Sequence, residues 1–179
     1  MLPLFDLTAI WLIVVNALAW PSIQIGMGYL SHRMSLETLA WFSRLLRTRR
    51  WEQDGTIYQH LFLVKRWKSL LPSGGTVFPG GFSLKQVASS DPAYLHRWVM
   101  ESYRAEIAHW TALFPVVLFL LWNPPLGWAI NVFYALVVNV PCIIVQRYNR
   151  PRLLAIVQKK SEQTPERDIF PVLSEGSAK

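Results

Sequence analysis

The sequence predicts an all-α membrane protein with about three transmembrane helices and further amphipathic helices in the membrane interface. Hydrophobic residues make up 52% of the 179 positions and charged residues only 16%, whereas a soluble domain carries about a quarter charged residues. The apolar residues also form runs long enough to cross a bilayer, which takes about 20 residues of helix. The net charge of +7 suits anionic lipid headgroups or a phosphorylated substrate. The apolar runs argue against nucleic acid as a partner.

The first apolar run assigns residues 1–30 to a transmembrane helix. No charged residue occurs between Leu7 and Tyr29, a stretch of 23 positions. A cleaved signal peptide is the alternative, because Ala17-Leu18-Ala19 resembles a cleavage site. The run has no Lys or Arg before it and continues past that site, which favours the membrane helix.

Residues 31–104 have a different character and predict a basic region at the membrane interface. Apolar and basic residues alternate at roughly helical spacing over residues 36–50, as in a helix that lies in the interface. A core helix of a small soluble domain is the alternative. Residues 57–71 repeat the pattern, and Trp67 between two cations is typical of the headgroup level.

Proline and glycine are concentrated in residues 72–83, which predicts a loop. After this loop, Asp91 is suited to cap a helix and Pro92 to occupy its first position. We expect that helix to run through His109 into the membrane.

Residues 105–153 predict a transmembrane hairpin. Residues 107–122 carry no formal charge if the histidine is neutral, and residues 126–145 form a second apolar run. Asn123-Pro124-Pro125 between them indicates a tight turn. The charged tail, residues 154–179, completes the chain, and we expect it to be loosely ordered from Gln158.

The distribution of Lys and Arg predicts the orientation in the membrane. Eleven of these residues lie in residues 30–106 and the other seven in residues 146–179. Three crossings place both segments on one side of the membrane. The positive-inside rule makes that side the cytoplasm. The N-terminus and the Pro-Pro turn then lie outside.

Glu106 and His109 are the first candidates for chemistry. Residues three apart share one face of a helix, and a carboxylate beside a histidine orients the ring as a general base for a hydroxyl group. A hydrogen bond from His109 to a neighbouring helix is the structural alternative. A Glu-x-x-His pair also ligates metals in some proteins. No second pair follows here, so we expect no metal.

A polar stripe follows the last apolar run. At 3.6 residues per turn, its members lie within about 80° of one another. They are Asn131, Ala135, Asn139, Cys142, Gln146 and Asn149. Amides are costly in hydrocarbon unless they are paired. The stripe therefore either packs against other helices or lines a ligand pocket.

Three arginines lie at the end of the same run, at Arg147, Arg150 and Arg152. Cations at this level can anchor a helix to lipid headgroups, and they equally suit the phosphates of a ligand.

Two stretches resemble a known family. INVFYALVVNVPCIIVQRYNRPRL and ESYRAEIAHWTALFPVV closely resemble the glycosyl-4,4'-diaponeurosporenoate acyltransferases, which are membrane enzymes of the last step in staphyloxanthin-type carotenoid synthesis. The likeness is dense over residues 101–153. It is weaker over residues 50–55, Tyr58 and residues 66–68.

The resemblance implies an O-acyltransferase of a bacterial-type cell membrane. Such an enzyme esterifies a hydroxyl of a glycosylated carotenoid, or another glycolipid, with a fatty acyl chain. Its implied partners are membrane lipids, the acyl donor and the acceptor. An acyl thioester such as acyl-CoA would be a co-substrate, and no cofactor is expected.

Within that activity the residues take three predicted roles. His109, oriented by Glu106, is the catalytic base, and the three arginines (Arg147, Arg150 and Arg152) hold the donor's phosphates or a lipid headgroup. Asn139, Gln146 and Asn149 bind the acceptor or the oxyanion. The alternative is a non-catalytic membrane scaffold or lipid-binding protein of a lipid or pigment pathway. It predicts that Glu106 and His109 point apart, or that packing uses the whole polar stripe.

Overall fold

A computed structural model of the protein describes residues 3–72 and 74–163, and the regular structure within this part is helical. The α-helices, in chain order, are α1 (Ala9–His32), α2 (Leu36–Leu45), α3 (Thr56–Phe62), α4 (Val64–Trp67), α5 (Pro92–Leu113) and α6 (Pro125–Gln163). The 3₁₀ segments are Arg50–Gly55, Lys68–Leu70, Gly74–Thr76 and Phe114–Leu121. The predicted all-α class is confirmed.

Three helical stretches are long and apolar enough to cross a membrane: Ala9–His32, Pro92–Leu121 and Pro125–Lys159. In the most apolar window of the first stretch only 6% of the residues are buried within the protein, and the other two windows reach 28% and 22%. Most of this apolar surface therefore faces outward. An exposed apolar surface of this extent suits lipid rather than water.

The second of these stretches begins at Pro92, well before the apolar run of residues 107–122 that predicts it in the sequence. The Asp91 carboxylate accepts a hydrogen bond from the Tyr94 amide at 3.0 Å, so the expected cap is present. The chain stays helical to Leu113 and then tightens into the 3₁₀ segment. Pro115 lies at the start of that segment and lacks the N–H that an α-helical bond would need.

The hairpin turn is held to α1 by side-chain hydrogen bonds. Asn16 and Asn123 bond each other reciprocally at 2.9 and 3.0 Å, and the Trp122 indole donates to Asn16 at 2.8 Å. One layer deeper, the Trp20 indole donates to Asn131 at 2.8 Å. This end of the polar stripe is therefore used in helix packing, one of the two roles we expected for it.

The last helix, α6, continues to Gln163, past the point at which we expected loose order. That expectation is wrong for residues 158–163. Leu153 and Val157 are buried against Trp98 of α5 and its neighbours, so packing extends the helix beyond the apolar run. The rest of the predicted tail, residues 164–179, lies outside the described residues.

Residues 31–104, which the sequence predicts to lie at the membrane interface, contain one of the two expected amphipathic helices, α2. The Ser35 hydroxyl caps α2 by accepting from the Thr38 amide at 3.2 Å. The second predicted helix, residues 57–71, is broken at Leu63, whose φ of 51° is left-handed. The Trp67 indole donates to the Phe62 carbonyl at 2.7 Å, which satisfies a carbonyl at the end of α3.

The turn before α3 docks closely on α6. Gln53, Asp54 and Gly55 all have positive φ, at 48°, 52° and 81°. A Cβ on Gly55 would lie 2.9 Å from the Arg147 carbonyl oxygen and 3.0 Å from that of Tyr148. Glycine is therefore required here by the backbone conformation and by the close approach.

Replacing Gly55 with alanine is expected to destabilise the protein. Left-handed backbone costs a non-glycine residue on the order of 1–3 kcal/mol, and the α6 backbone cannot move away as a side chain could. Thermal unfolding of the purified protein in detergent measures the loss. Gly26→Ala is the control, because no atom lies within 4 Å of its added Cβ. Equal unfolding temperatures for the two variants would contradict the docking.

Candidate active site

Four charged side chains form a buried network where the Arg50–Gly55 turn, α5 and α6 meet. Arg147 donates to both acids, through Nε to Glu106 at 2.7 Å and through Nη1 to Glu52 at 3.0 Å. Arg150 donates to the second Glu106 oxygen at 2.6 Å. Both glutamates are fully buried and Arg150 is 1% exposed. Two acids balance two cations, as buried charges require.

Arg150 is satisfied by further groups of α5. It donates to the Ser102 hydroxyl at 2.7 Å and to the Ser102 carbonyl at 3.0 Å. Its guanidinium carbon lies 3.7 Å from the centre of the Tyr103 ring. Trp110 adds an indole hydrogen bond to Glu106 at 3.2 Å. The network thus fastens α6 to α5 along two helical turns.

Glu52 fastens the basic region to the same network. It accepts from the Tyr58 hydroxyl at 2.7 Å and from the Arg49 backbone amide at 2.7 Å. Burial and the neighbouring Glu52 carboxylate raise the pKa of Tyr58 to about 12, so the phenol stays protonated and donates. Sequence reasoning missed Glu52 as a site residue. The sequence did contain a signal for it, because Glu52 is an acidic residue within a basic segment and precedes an Asp-Gly turn.

The predicted pairing of Glu106 with His109 is corrected by this geometry. The two residues lie on one turn of α5 as expected, but the carboxylate faces α6 and is taken up by Arg147 and Arg150. The predicted phosphate-binding role is corrected for Arg150 for the same reason, whereas for Arg147, whose side chain is 17% exposed, it stays a prediction. A guanidinium in a low-dielectric interior is held by the nearest acid, and the buried Arg150 offers no surface to a ligand. Arg152 is only half-buried, above the ring of Tyr148.

Replacing Glu106 with glutamine is expected to cost about 3–5 kcal/mol of stability, because it leaves a buried arginine without its counter-charge. The loss should appear as a lower unfolding temperature of the purified protein. Glu101→Gln is the matched control on the same helix. Its partner Arg104 retains three backbone carbonyl acceptors. If the two variants lost equal stability, the network would not hold the helices together.

His109 is oriented by an amide. Its Nδ1 lies 2.9 Å from Oδ1 of the fully buried Asn139. The Asn139 amide nitrogen donates to the Ala135 carbonyl at 2.9 Å, so its oxygen is the atom that faces the ring. Gln24 of α1 donates to the same oxygen at 3.3 Å. We infer that Nδ1 carries the proton and that Nε2 keeps a free lone pair.

The histidine lines a cavity of about 420 Å³, a volume within the range of small-molecule sites. Helices α1, α5 and α6 form three walls, and residues 68–72 and 74–86 form the fourth. Cys142, Gln146 and Asn149 of the polar stripe lie on the α6 wall. The apolar part of the lining includes Ile25, Leu71, Val77, Phe78, Phe82 and Leu84.

The predicted loop provides the roof of the cavity. Phe78 stacks on His32 with ring centres 5.5 Å apart and meets the edge of Tyr29 at 5.7 Å. A Cβ on Gly28 would already be in van der Waals contact with Phe78, at 3.4 Å. The small Gly28 therefore lets this aromatic ring lie against α1.

A basic edge lies beside the polar stripe. Lys68 donates to the Asn149 side chain at 3.1 Å and lies over the Tyr148 ring at 5.2 Å. Partial burial, followed by the charges of Arg152 and Lys65, lowers the pKa of Lys68 from its usual value. Of the predicted site residues, the structure brings His109, Asn139, Gln146 and Asn149 together. Gln24 and Lys68 join them from other elements.

Together these features define a helical protein with three helices apolar enough to cross a membrane and a cavity with an oriented histidine in its wall. The chain matches the protein family described as glycosyl-4,4'-diaponeurosporenoate acyltransferase over residues 39–159. The chain belongs to this family and is an acyltransferase.

Two relatives show the extent of the similarity, and both bear the name glycosyl-4,4'-diaponeurosporenoate acyltransferase. The protein of Staphylococcus aureus (strain Newman) is 31% identical over 147 residues, which cover 80% of this chain and 88% of the relative. That of Staphylococcus haemolyticus (strain JCSC1435) is 28% identical over 154 residues, which cover 84% and 90%. No solved structure matches the chain.

Proposed function

We propose that the protein esterifies a hydroxyl of a glycosylated, carotenoid-like acceptor in a bacterial cell membrane with a fatty acyl chain from a thioester donor. The names of the relatives support the acceptor class. The observation that carries the chemistry is His109, held by Asn139 at 2.9 Å in the wall of a cavity of about 420 Å³.

The reaction is a direct transfer. Nε2 of His109 takes the proton of the acceptor hydroxyl as its oxygen attacks the thioester carbonyl. The tetrahedral intermediate collapses, the carbon–sulfur bond breaks, and the imidazolium returns the proton to the leaving thiolate. Asn139 is a positioning residue that keeps the proton on Nδ1 and the ring in place. A neutral amide orients histidine in the Cys-His-Asn arrangement of some proteases.

The donor's phosphates belong at the basic edge of the cavity rather than at the buried arginines. Lys68 and Lys85 both lie in the cavity lining, and Arg152 lies near Lys68. Coenzyme A phosphates at this edge would place the thioester toward His109, with the acyl chain along the apolar roof.

The scaffold alternative had one expectation that the structure meets, since Glu106 turns away from His109. Its other expectation, that packing uses the whole polar stripe, is not met, because Gln146 makes no hydrogen bond within the described part of the chain. Family membership and the cavity beside His109 favour the enzyme.

His109→Ala is expected to lower ester formation by about 10²–10⁴-fold, the usual contribution of a positioned general base. Asn139→Leu should lower kcat by about tenfold or more and leave the KM of the acceptor near its wild-type value, because Asn139 acts through the ring. The measurement is transfer of a labelled acyl chain to glycolipid acceptors in isolated membranes.

His60→Ala serves as the control for these variants, because His60 is exposed on α3 and lies outside the cavity lining. Its activity should match wild type at equal membrane abundance. Near-normal esterification by His109→Ala would overturn the mechanism.

The proposed topology places the basic region and the C-terminal tail in the cytoplasm and the Asn-Pro-Pro turn outside. We expect single cysteines at Lys159 and Pro124, each introduced in a Cys142→Ala background, to differ in labelling. In intact cells a membrane-impermeant maleimide should modify only the residue at 124. Both should react after the membrane is opened. Labelling of the residue at 159 in intact cells would reverse the orientation.

A further inference from the structure

Gln146 is a buried amide without a protein partner. It is 9% exposed, its Oε1 has no hydrogen bond, and its side chain makes none to the residues the structure describes. It lies in the lining of the same cavity as His109. An unsatisfied buried polar group is destabilising, so its partner is expected to come from a ligand.

The other amides of the polar stripe show that this is not a general property of the helix face. Asn131 is paired with Trp20, Asn139 with His109 and Asn149 with Lys68. Among these stripe amides, all within the described residues, Gln146 alone is unpaired. Helix packing therefore does not account for it.

We propose that Gln146 binds the sugar of the acyl acceptor. Its amide oxygen accepts a hydrogen bond from one sugar hydroxyl, and its amide nitrogen donates to the oxygen of the adjacent hydroxyl. A carboxamide presents one acceptor and two donors side by side, which matches a pair of vicinal hydroxyls. A fatty acyl chain offers neither group, and the pantetheine arm of coenzyme A offers separated secondary amides and a lone hydroxyl rather than a diol.

The lining of the cavity also suits the rest of such an acceptor. The sugar lies on the α6 wall between Gln146 and His109, and Asn149 lies one turn further along the same face. The apolar part of the acceptor then runs past Ile25 and Phe78 toward the lipid-facing side of α1. This inference rests on the proposed function for the identity of the acceptor, but its test requires no catalysis.

The test is competition for photolabelling of the protein in nanodiscs by a dodecyl β-D-glucoside with a diazirine in its alkyl chain. Three competitors are compared. They are dodecyl β-D-glucoside, its fully O-methylated form, which keeps the ring and the chain but donates no hydrogen bond, and palmitoyl-CoA as the probe for the acyl donor. Wild type should prefer the free sugar by about 10- to 100-fold, the value of one or two buried hydrogen bonds. Gln146→Met should bring that preference close to one.

Asn131→Leu is the matched control, an amide-to-apolar change on the same face outside the cavity lining, and should keep the wild-type preference. Gln146→Met should not lower the unfolding temperature, because no protein hydrogen bond is lost, whereas Asn131→Leu should lower it. If Gln146→Met fails to fold, Gln146→Asn is the second variant. It retains the polarity but withdraws the amide by one methylene, so it should also lose most of the preference for the free sugar.

Two results would overturn the proposal. One is an unchanged preference in a folded Gln146 variant. The other is a tenfold loss of competition by palmitoyl-CoA without any change for the glucoside, which would assign the amide to the acyl donor. The same labelling in His109→Ala separates this inference from the proposed function. A normal ester yield from His109→Ala would contradict the proposed mechanism. The sugar preference measured in the Gln146 variants does not depend on ester formation, so it would still decide the role of Gln146.

Discussion

The fold depends on the neutralisation of Arg147 and Arg150 inside the protein. Each arginine lies where α6 leaves the apolar region, and each is held by a glutamate that is itself fully buried. Ionised groups at such depth are tolerated only as pairs. Because Glu106 belongs to α5 and Glu52 to the turn before α3, the same pairs set the relative position of three elements. The cavity is bounded by two of them.

This constraint also determines the chemistry available to the histidine. Glu106 is needed by the arginines, so no carboxylate remains beside the His109 ring. A neutral amide from α6 takes its place, and the amide is itself held by the backbone of its own helix and by Gln24 of α1. The oriented ring thus depends on all three long helices. An asparagine orients the ring without adding charge to a region surrounded by lipid-facing helices, where a further unpaired carboxylate would be costly.

Much of the fold could be predicted from the sequence, since runs of uncharged residues and caps such as Asp91 act locally. The candidate site was predicted in part. Helical phase placed Glu106 with His109 on one face and gathered the amides of α6 on another, and three of the predicted site residues, His109, Gln146 and Asn149, do line the cavity. The helical phase of a side chain does not tell which neighbouring element it contacts. Glu106 was therefore predicted to pair with His109 on its own helix, whereas its partners are arginines 41 and 44 positions away. Glu52 and Gln24 were missed for the same reason, as their partners are distant in sequence.

The polar stripe shows why periodicity alone could not separate packing from ligand binding. At its outer end Asn131 bonds to Trp20, and at its centre Asn139 bonds to His109. Up to that level α1 or α5 supplies a partner for each amide. Toward the basic end the fourth wall is formed by residues 68–72 and 74–86, which offer mainly apolar side chains around the cavity. Gln146 lies at this transition. The polar stripe of α6 is therefore a packing surface near Asn131 and a proposed binding surface near Gln146. The reason is that a helix with polar groups lies opposite the first part, and the aromatic roof lies opposite the second.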